Sequence, residues 1–281
     1  MKHLLSLALA GLVTLTAAPA LAAGGAKHPK DGNYSFDGPL GTFDQAQLQR
    51  GYKVYREVCA SCHSMNMLAF RHLGTPGAPF HDAKFPNPND NPYVRTIAAE
   101  FQIPDIDSET GDVVQRPGTS ADRFPNPYPN EAAARGANGG AMPPDLSVMG
   151  KARHGGADYI YSLLSGYVAA PKGLTVPANQ HYNPYYAGDV SAYWSGDHEH
   201  VPPGGFLAMP PQLKPGLVTF DDGTPSTIKN QARDVGAFIM WASEPKMEER
   251  KRTGVAVLAY LTLLAGLLYA SYRKIWRNVA H

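Results

Sequence analysis

Two cysteines and a histidine in this 281-residue chain have a spacing that suits redox or metal chemistry. Cys59 and Cys62, the only cysteines, are separated by two residues, and His63 follows directly. This spacing occurs in disulfides, in dithiol redox couples, in half-sites for zinc and in covalent haem attachment. The residues around the motif must decide which of the four chemistries applies.

Covalent haem attachment is the interpretation that uses all three residues. A disulfide across two residues closes a very small loop and gains little entropy, and a thioredoxin-like couple needs a strand before Cys59, where the sequence predicts a helix. Zinc would need two more ligands, which His198 and His200 could supply, but His63 would then have no role. Haem takes thioethers from Cys59 and Cys62 and an axial bond from His63. One covalently attached haem c is therefore the predicted cofactor.

Electron transfer by such a haem needs a second axial ligand opposite His63. Met209 and Met142 both lie in the sequence Ala-Met-Pro-Pro, a proline-flanked loop that suits a thioether ligand. Met209 is the predicted ligand, because in small c-type cytochromes the distal loop comes just before the terminal helix. Met142, His198 and His200 remain alternatives. A His/Met pair raises the reduction potential and leaves no open site, which favours electron transfer over oxygen chemistry.

Two helices are predicted to position the motif. From a cap at Thr42 or Asp44, apolar residues recur at helical spacing up to Cys59. Gly51 in this helix costs about 1 kcal/mol relative to alanine, which predicts a close crossing with another helix. The apolar face of 230–245 makes that segment the predicted partner. The predicted fold class is mainly α: a c-type cytochrome fold with long loop insertions and one C-terminal transmembrane helix.

Both ends of the chain predict a membrane location. Residues 1–22 have a basic start, an apolar run and an Ala-x-Ala ending, as in a cleaved signal peptide. Residues 255–272 carry no charge and as a helix would be about 27 Å long, enough to cross a bilayer. Export then places a haem domain, 23–245, in the periplasm, and the anchor, 246–281, ends in the cytoplasm. We expect a single-pass protein of a bacterial inner membrane.

Charge is unevenly distributed along the chain, although the formal net charge is only +1. Acidic residues outnumber basic ones over 90–145, and basic residues outnumber acidic ones over 246–281. This pattern gives no reason to expect a nucleic-acid partner. The stretch 103–114 is a candidate docking surface for a basic protein, or else a solvated insertion. Its four acidic residues are Asp105, Asp107, Glu109 and Asp112.

The order of these motifs resembles the cytochrome c1 family of bacterial type, the haem subunits of the ubiquinol–cytochrome c reductase (cytochrome bc1) complex. The stretches that carry the resemblance are 47–73, 139–167, 208–213, 220–227 and 234–254. The last two are more specific than the cysteine motif. In one respect the chain departs from some bacterial members, which have a further cysteine pair bridging the ligand loop. In this chain, interactions other than a disulfide must hold that loop.

The resemblance implies a set of residues around the haem. They are Cys59, Cys62, His63, Met209, Arg153, Tyr159 and Pro144. Arg153 and Tyr159 would approach the haem propionates, a geometry that suits a guanidinium and a carboxylate. Pro143 or Pro144 would pack near His63.

The resemblance also implies a function and partners. The protein would accept one electron from the Rieske iron–sulfur protein and pass it to a c-type cytochrome, beside a cytochrome b subunit in the membrane. Quinol oxidation would occur on the partner subunits, so the chain itself is an electron carrier within an enzyme complex. The alternative function is a membrane-anchored c-type cytochrome subunit of another oxidase or dehydrogenase.

Overall fold

The computed structural model describes residues 25–278, so the predicted signal peptide at 1–22 lies outside the described residues. The α-helices in this range are α1 (Gln45–Val54), α2 (Pro92–Ala99), α3 (Glu131–Ala137), α4 (Met149–Ala152), α5 (Gly156–Ser165), α6 (Ile228–Ser243) and α7 (Met247–Trp276). Two short antiparallel pairs are formed by β1 (Gln102–Ile106) with β2 (Val113–Pro117) and by β3 (His181–Asn183) with β4 (Gly205–Leu207). The predicted mainly α fold with long loop insertions is confirmed.

Helix α1 crosses α6 closely at Gly51, as predicted. The helix begins where the Asp44 side chain accepts a hydrogen bond of 3.1 Å from the Gln47 backbone N–H, which satisfies one free donor of the first turn. A Cβ atom at Gly51 would collide with the carbonyl oxygen of Asp234 and lie 2.7 Å from the Phe238 Cβ. Only a residue without a side chain permits this approach of the two backbones.

A buried carboxylate fixes the crossing of α1 and α6. Asp234 on α6 is 3% exposed and accepts hydrogen bonds from Arg50 Nε at 2.7 Å and Gln47 Nε2 at 3.0 Å. Burial raises the pKa of the Asp234 carboxyl, and the bonds from Arg50 and Gln47 oppose that rise. Removing one partner of such a buried pair leaves an uncompensated charge, so the pair stabilises one register of the two helices.

The core lies between the α1–α6 crossing, the attachment segment and helices α4 and α5, which also pack on α6. Its five largest fully buried side chains are aromatic, and rings meet in tilted contacts, for example Tyr55 with Phe238 at 5.6 Å and Phe70 with Phe124 at 4.5 Å between centroids. Tyr55 thus anchors the residues just before the motif in the centre of the domain.

Helix α7 has the properties of a membrane anchor. Among residues 25–278 it is the one helix long and apolar enough to cross a membrane, with a mean hydropathy of 1.9 over its most apolar window and none of that window buried against protein. The predicted span 255–272 lies within it, and the helix begins earlier, at Met247. The turns of α7 before residue 255 contact the rest of the protein.

An N-terminal arm, which we define as residues 25–44, connects the start of α7 with α5. The Phe43 backbone N–H donates to the Glu248 carboxylate at 2.8 Å, and Lys251 Nζ donates to the Gly41 carbonyl at 3.2 Å. At the other end of the arm, the Gly32 N–H donates to the Asp158 carboxylate at 2.8 Å. The arm therefore ties the first turns of α7 to the helical core.

Candidate haem-binding site

The attachment motif lies where the backbone hydrogen bonding changes from α-helical to π-helical, at the end of α1. The sequence predicted a regular helix up to Cys59, but a π-helical stretch, Tyr55–Cys59, follows α1 and is closed by a wide backbone hydrogen bond of 2.8 Å from Ala60 N. The Cys59 carbonyl then accepts from Cys62 N at 3.1 Å and His63 N at 2.9 Å. Single π-turns are rare and occur often at functional sites. The π-turn ends at Cys59, and the compact turn that follows it contains Cys62 and His63.

The two sulfur atoms are in an environment that does not favour thiolate chemistry. Cys59 and Cys62 are half-buried and not bonded to each other. Burial, and then the nearby Cys62, raises the pKa of the Cys59 thiol to about 12. Reactive dithiols have lowered pKa values, so these observations do not favour a redox couple. An uncharged thioether suits such a half-buried position, and in this respect the pair fits covalent haem attachment.

The zinc alternative finds no support in the structure. In the described part of the chain, residues 25–278, no group of three or more His, Cys, Asp or Glu side chains is placed to hold a metal ion. His200 instead pairs through Nδ1 with the Asp197 carboxylate at 2.7 Å, in an exposed turn. Among the residues that the structure describes, Cys59 and Cys62 therefore have no second pair of zinc ligands.

One hydrogen bond sets the tautomer of His63. Its Nδ1 lies 2.8 Å from the carbonyl oxygen of Pro144, and since a carbonyl only accepts, Nδ1 carries the proton. The lone pair of Nε2 is then free for a metal, the usual arrangement of a ligating histidine. Burial lowers the pKa of His63, while the Pro144 bond and the charge of Asp145 oppose that shift. The structure thus places Pro144 beside His63 through its backbone.

Asp145 and Ser147, which the sequence analysis missed, fix the loop that carries Pro144. The Asp145 carboxylate accepts from Asn66 N at 2.9 Å and from Ser147 N at 2.8 Å, and the Ser147 hydroxyl accepts from Met67 N at 3.1 Å. Burial acts to raise the pKa of Asp145, but these bonds hold it below the ordinary value. The spacing Asp-x-Ser, typical of a side chain that caps its own turn, was the available signal.

Met209 lies just after β4, and its backbone carbonyl accepts a hydrogen bond from a residue that follows α5. The hydroxyl of Tyr167 donates to the Met209 carbonyl at 2.8 Å. Strand β4, which ends two residues earlier at Leu207, pairs with β3 in the register His181 opposite Leu207. A cavity of about 350 Å³ lies beside this segment, lined in part by Tyr167 and Pro211. Met209 itself is half-buried.

The other methionines have different surroundings. Met65 and Met247 are buried in the core, at 0% and 3% exposure. Met240 packs on Gly150, and Met67 and Met142 are exposed at 57% and 45%. Met142, the alternative ligand, precedes the Pro144 loop and therefore belongs to the segment that contacts His63.

Arg153 and Tyr159 come together near the Met209 segment. Tyr159 is half-buried on α5, and burial raises the pKa of its phenol while the charge of the nearby Arg153 opposes that rise. Tyr159 also lies close enough to Tyr167 to raise the pKa of that phenol, which burial raises most. Within residues 25–278 no carboxylate pairs with Arg153, and its guanidinium is exposed. Its donors are thus available to an added anion.

The predicted residues therefore form two groups connected by one stretch of chain. The first contains Cys59, Cys62, His63 and Pro144, and the second contains Arg153, Tyr159 and, through Tyr167, Met209. The stretch 144–167 connects the two groups. It runs from the Pro144 loop through α4 and α5 to Tyr167, and it contains Arg153 and Tyr159. A separate cleft of about 1020 Å³ between α1, α2 and the loop at 220–222 is lined by none of these residues.

These features define a class of protein. A mainly helical domain with a covalent-haem motif at a helix end, followed by a long apolar helix, is a membrane-anchored c-type cytochrome. Residues 34–279 match the Cytochrome C1 family, and the chain belongs to that family.

Named relatives agree with this assignment. Cytochrome c1 of Rhodospirillum rubrum is 38% identical over 93% of this chain and 94% of that protein. A mitochondrial cytochrome c1 heme protein of Solanum tuberosum is 42% identical over 84% of this chain and 80% of its own length. Cytochrome b/c1 of Bradyrhizobium diazoefficiens is 40% identical over 90% of this chain, which spans only 36% of that longer protein.

Family membership confirms several predictions at the level of the family. A cytochrome c1 carries covalently attached haem c and is the electron-transfer haem subunit of the cytochrome bc1 complex. The predicted cofactor and electron-transport class are therefore confirmed, and α7 fits the predicted transmembrane anchor.

Proposed function

We propose that Cys59 and Cys62 attach the haem through thioethers and that His63 and Met209 are its axial ligands. The observation that carries this proposal is the hydrogen bond from His63 Nδ1 to the Pro144 carbonyl, which leaves Nε2 available beside two unbridged cysteines. A haem bound there supplies a one-electron iron couple without an open coordination site. The role of the protein is to orient the imidazole and to keep the sulfur atoms away from solvent.

Arg153 and Tyr159 are proposed to bind the haem propionates. The guanidinium of Arg153 is exposed and the Tyr159 hydroxyl is its neighbour, so both can donate to one carboxylate. Pro144 contributes its carbonyl rather than its ring, because the contact to His63 is a hydrogen bond.

The chain is proposed to accept one electron from the Rieske iron–sulfur protein and to pass it to a c-type cytochrome during quinol oxidation. Membership of the family supports this role, and a cytochrome b subunit would be its neighbour in the membrane. The reductase activity would belong to the complex, in which this chain is the carrier. Copurification with a b-type cytochrome and a Rieske protein would support the proposal. Copurification with a different oxidase or dehydrogenase would replace it by the alternative function.

The proposed topology has a signal peptide at 1–22, a periplasmic haem domain at 23–245 and an anchor at 246–281 that ends in the cytoplasm. It is supported by the exposed apolar surface of α7 and by basic side chains at Arg273 and Lys274 in its last turn. A C-terminal alkaline phosphatase fusion should be inactive and a C-terminal fluorescent fusion bright. The opposite result would reverse the orientation.

Two pairs of variants test the haem residues. Cys59→Ala and Cys62→Ala together should abolish haem staining after denaturing electrophoresis, because no thioether remains. Met209→Ala should lower the midpoint potential strongly and let the reduced iron bind carbon monoxide. Met142→Ala, in the same Ala-Met-Pro-Pro context, is the matched control and should change neither. A normal potential in Met209→Ala with a shifted one in Met142→Ala would exchange the two assignments.

The acidic segment is proposed as the surface that steers a basic acceptor cytochrome. It forms the hairpin of β1 and β2, which projects with Ile106 and Val113 exposed at 66% and 73%. Neutralising all four carboxylates should slow the second-order reaction with the acceptor mainly at low ionic strength. An unchanged salt dependence would show that the hairpin is only a solvated insertion.

A further inference from the structure

The segment that carries Met209 is held at two points, one on α5 and one just after the end of that helix. One is direct: the Tyr167 hydroxyl donates to the Met209 carbonyl at 2.8 Å. The other acts through the strands: Asn183 on β3 is fully buried and donates through Nδ2 to the Leu163 carbonyl of α5 at 2.8 Å. Strand β4, paired with β3, leads straight to Met209. One tether therefore ends on α5 and the other on the second residue after it.

Helix α5 is a rigid base for these tethers. It packs on α6 and has buried side chains at Ile160 and Ser162, at 5% and 0% exposure. Tyr167 follows directly after its cap, Gly166, and the Tyr167 ring is half-buried. A hydroxyl at this point has little freedom to move, so the carbonyl that it binds is held at a defined position.

No covalent link performs this task, because the only cysteines of the chain are Cys59 and Cys62 in the attachment motif. The residues after Met209 are Pro210 and Pro211, which have no N–H group and cannot add backbone donors to hold the loop. The Tyr167 bond is thus made at a point where the backbone has few other means of fixation.

We propose that Tyr167 is a positioning residue for the axial ligand, whose hydroxyl holds the Met209 backbone so that the thioether stays on the iron. The inference rests on the proposed role of Met209 as ligand. Tyr167 does not touch the iron; it acts through the methionine. Loss of one such hydrogen bond should raise the fraction of protein with the methionine dissociated by about 2- to 10-fold.

Tyr167→Phe tests this inference, because it removes only the hydroxyl and keeps the ring that fills the site. The matched control is Tyr34→Phe. Tyr34 is 5% exposed, and its hydroxyl also donates to a backbone carbonyl, that of Arg233, at 3.2 Å, but this carbonyl is on α6 rather than in the strands or the loop that carry Met209. Both variants are prepared as the complex purified from membranes, with haem content and thermal unfolding measured first.

Three readouts follow the ligand itself. These are the near-red charge-transfer absorption of a methionine–iron bond in the oxidised protein, carbon monoxide binding by the reduced protein, and the midpoint potential. Tyr167→Phe should weaken the absorption, allow carbon monoxide to bind and lower the potential, whereas Tyr34→Phe should match the wild type. Wild-type values of all three in Tyr167→Phe, or the same change in both variants, would overturn the positioning role.

Failure of the underlying ligand assignment gives a different result. If Met209 is not the ligand, Met209→Ala keeps the wild-type absorption and potential. If Met209 is the ligand and Tyr167 does not position it, Met209→Ala loses the absorption while Tyr167→Phe retains it. The pair of variants thus separates the two proposals.

Discussion

The imidazole of His63 is oriented by a carbonyl group that lies 81 residues later in the chain, that of Pro144, at 2.8 Å from Nδ1. The bond is made by the backbone, so its geometry depends on the loop rather than on the proline side chain. Asp145 fixes this loop through its bonds to Asn66 N and Ser147 N. The orientation of the proposed axial ligand is therefore controlled by a carboxylate that does not touch it.

Asp145→Ala should make the loop that carries Pro144 less ordered, and with it the orientation of the His63 imidazole. The free energy of unfolding should fall by about 2 kcal/mol, since two partly buried backbone donors lose a charged acceptor. The midpoint potential should rise, because an imidazole with a weaker hydrogen bond is less basic and stabilises the ferric state less. Thermal unfolding and redox titration measure the two effects. Glu57→Ala, which removes an exposed carboxylate near Cys59, is the control for charge alone and should leave stability unchanged.

Gly51→Ala should destabilise the domain by about 1–3 kcal/mol, because the new methyl group would force α1 away from the backbone of α6. Gly136→Ala is the matched control: this glycine also lies within a helix, α3, but a Cβ there would meet no atom within 4 Å. It should be neutral or stabilising by up to about 1 kcal/mol. Equal stability of the two variants in thermal unfolding would argue against the close crossing.

Asp122 should make stability depend on pH in acid. Its carboxylate accepts from Arg116 Nη1 at 2.7 Å and Nη2 at 2.9 Å and from Thr119 N at 2.7 Å, and the Arg116 bonds hold its pKa well below the ordinary value. Because the folded pKa is the lower one, the carboxylate stabilises the fold above the unfolded pKa of about 3.9 and loses that effect as pH falls toward the folded pKa.

Asp122→Asn should therefore cost about 2 kcal/mol at neutral pH and progressively less below about pH 4. Thermal unfolding of both proteins across this range measures the difference. Asp112→Asn, at an exposed position of the β1–β2 hairpin that carries Arg116, is the control and should leave stability at neutral pH unchanged. A constant gap between wild type and Asp122→Asn down to the acid limit would contradict the ion pair.

The acidic residues of the hairpin should contribute unequally to steering. Asp105 pairs with Arg116, whereas Glu109 and Asp112 are exposed at the tip. Glu109→Gln with Asp112→Asn should slow the reaction with a basic acceptor about 2- to 5-fold at low salt, and Asp105→Asn should change it less. Stopped-flow rates at several ionic strengths give the comparison. Equal slowing by Asp105→Asn would show that its pairing with Arg116 does not matter.

The sequence was sufficient to predict features that depend on side-chain type and regular spacing. The cysteine motif, the cap at Asp44, the glycine crossing and the apolar helix α7 all have local signatures, and the structure contains each of them. The winding of Tyr55–Cys59 could not be predicted, because a π-turn and an α-turn present the same apolar pattern over five residues.

The contacts that orient the proposed ligands were also beyond sequence reasoning. The Pro144 and Met209 carbonyls accept hydrogen bonds, yet every residue has a carbonyl and no residue type marks these two. Likewise, nothing in the sequence distinguishes Tyr167, the donor to the Met209 carbonyl, from the other fourteen tyrosines. Such contacts join distant segments through the backbone, and only the folded chain brings them together.

The arm that bridges α5 and the start of α7 removes any free hinge between the globular part and the membrane helix. A stiff joint keeps the height and tilt of the attachment motif above the bilayer constant. If the chain exchanges electrons with a donor and an acceptor as proposed, the movement between the redox centres would have to come from those partners rather than from this chain.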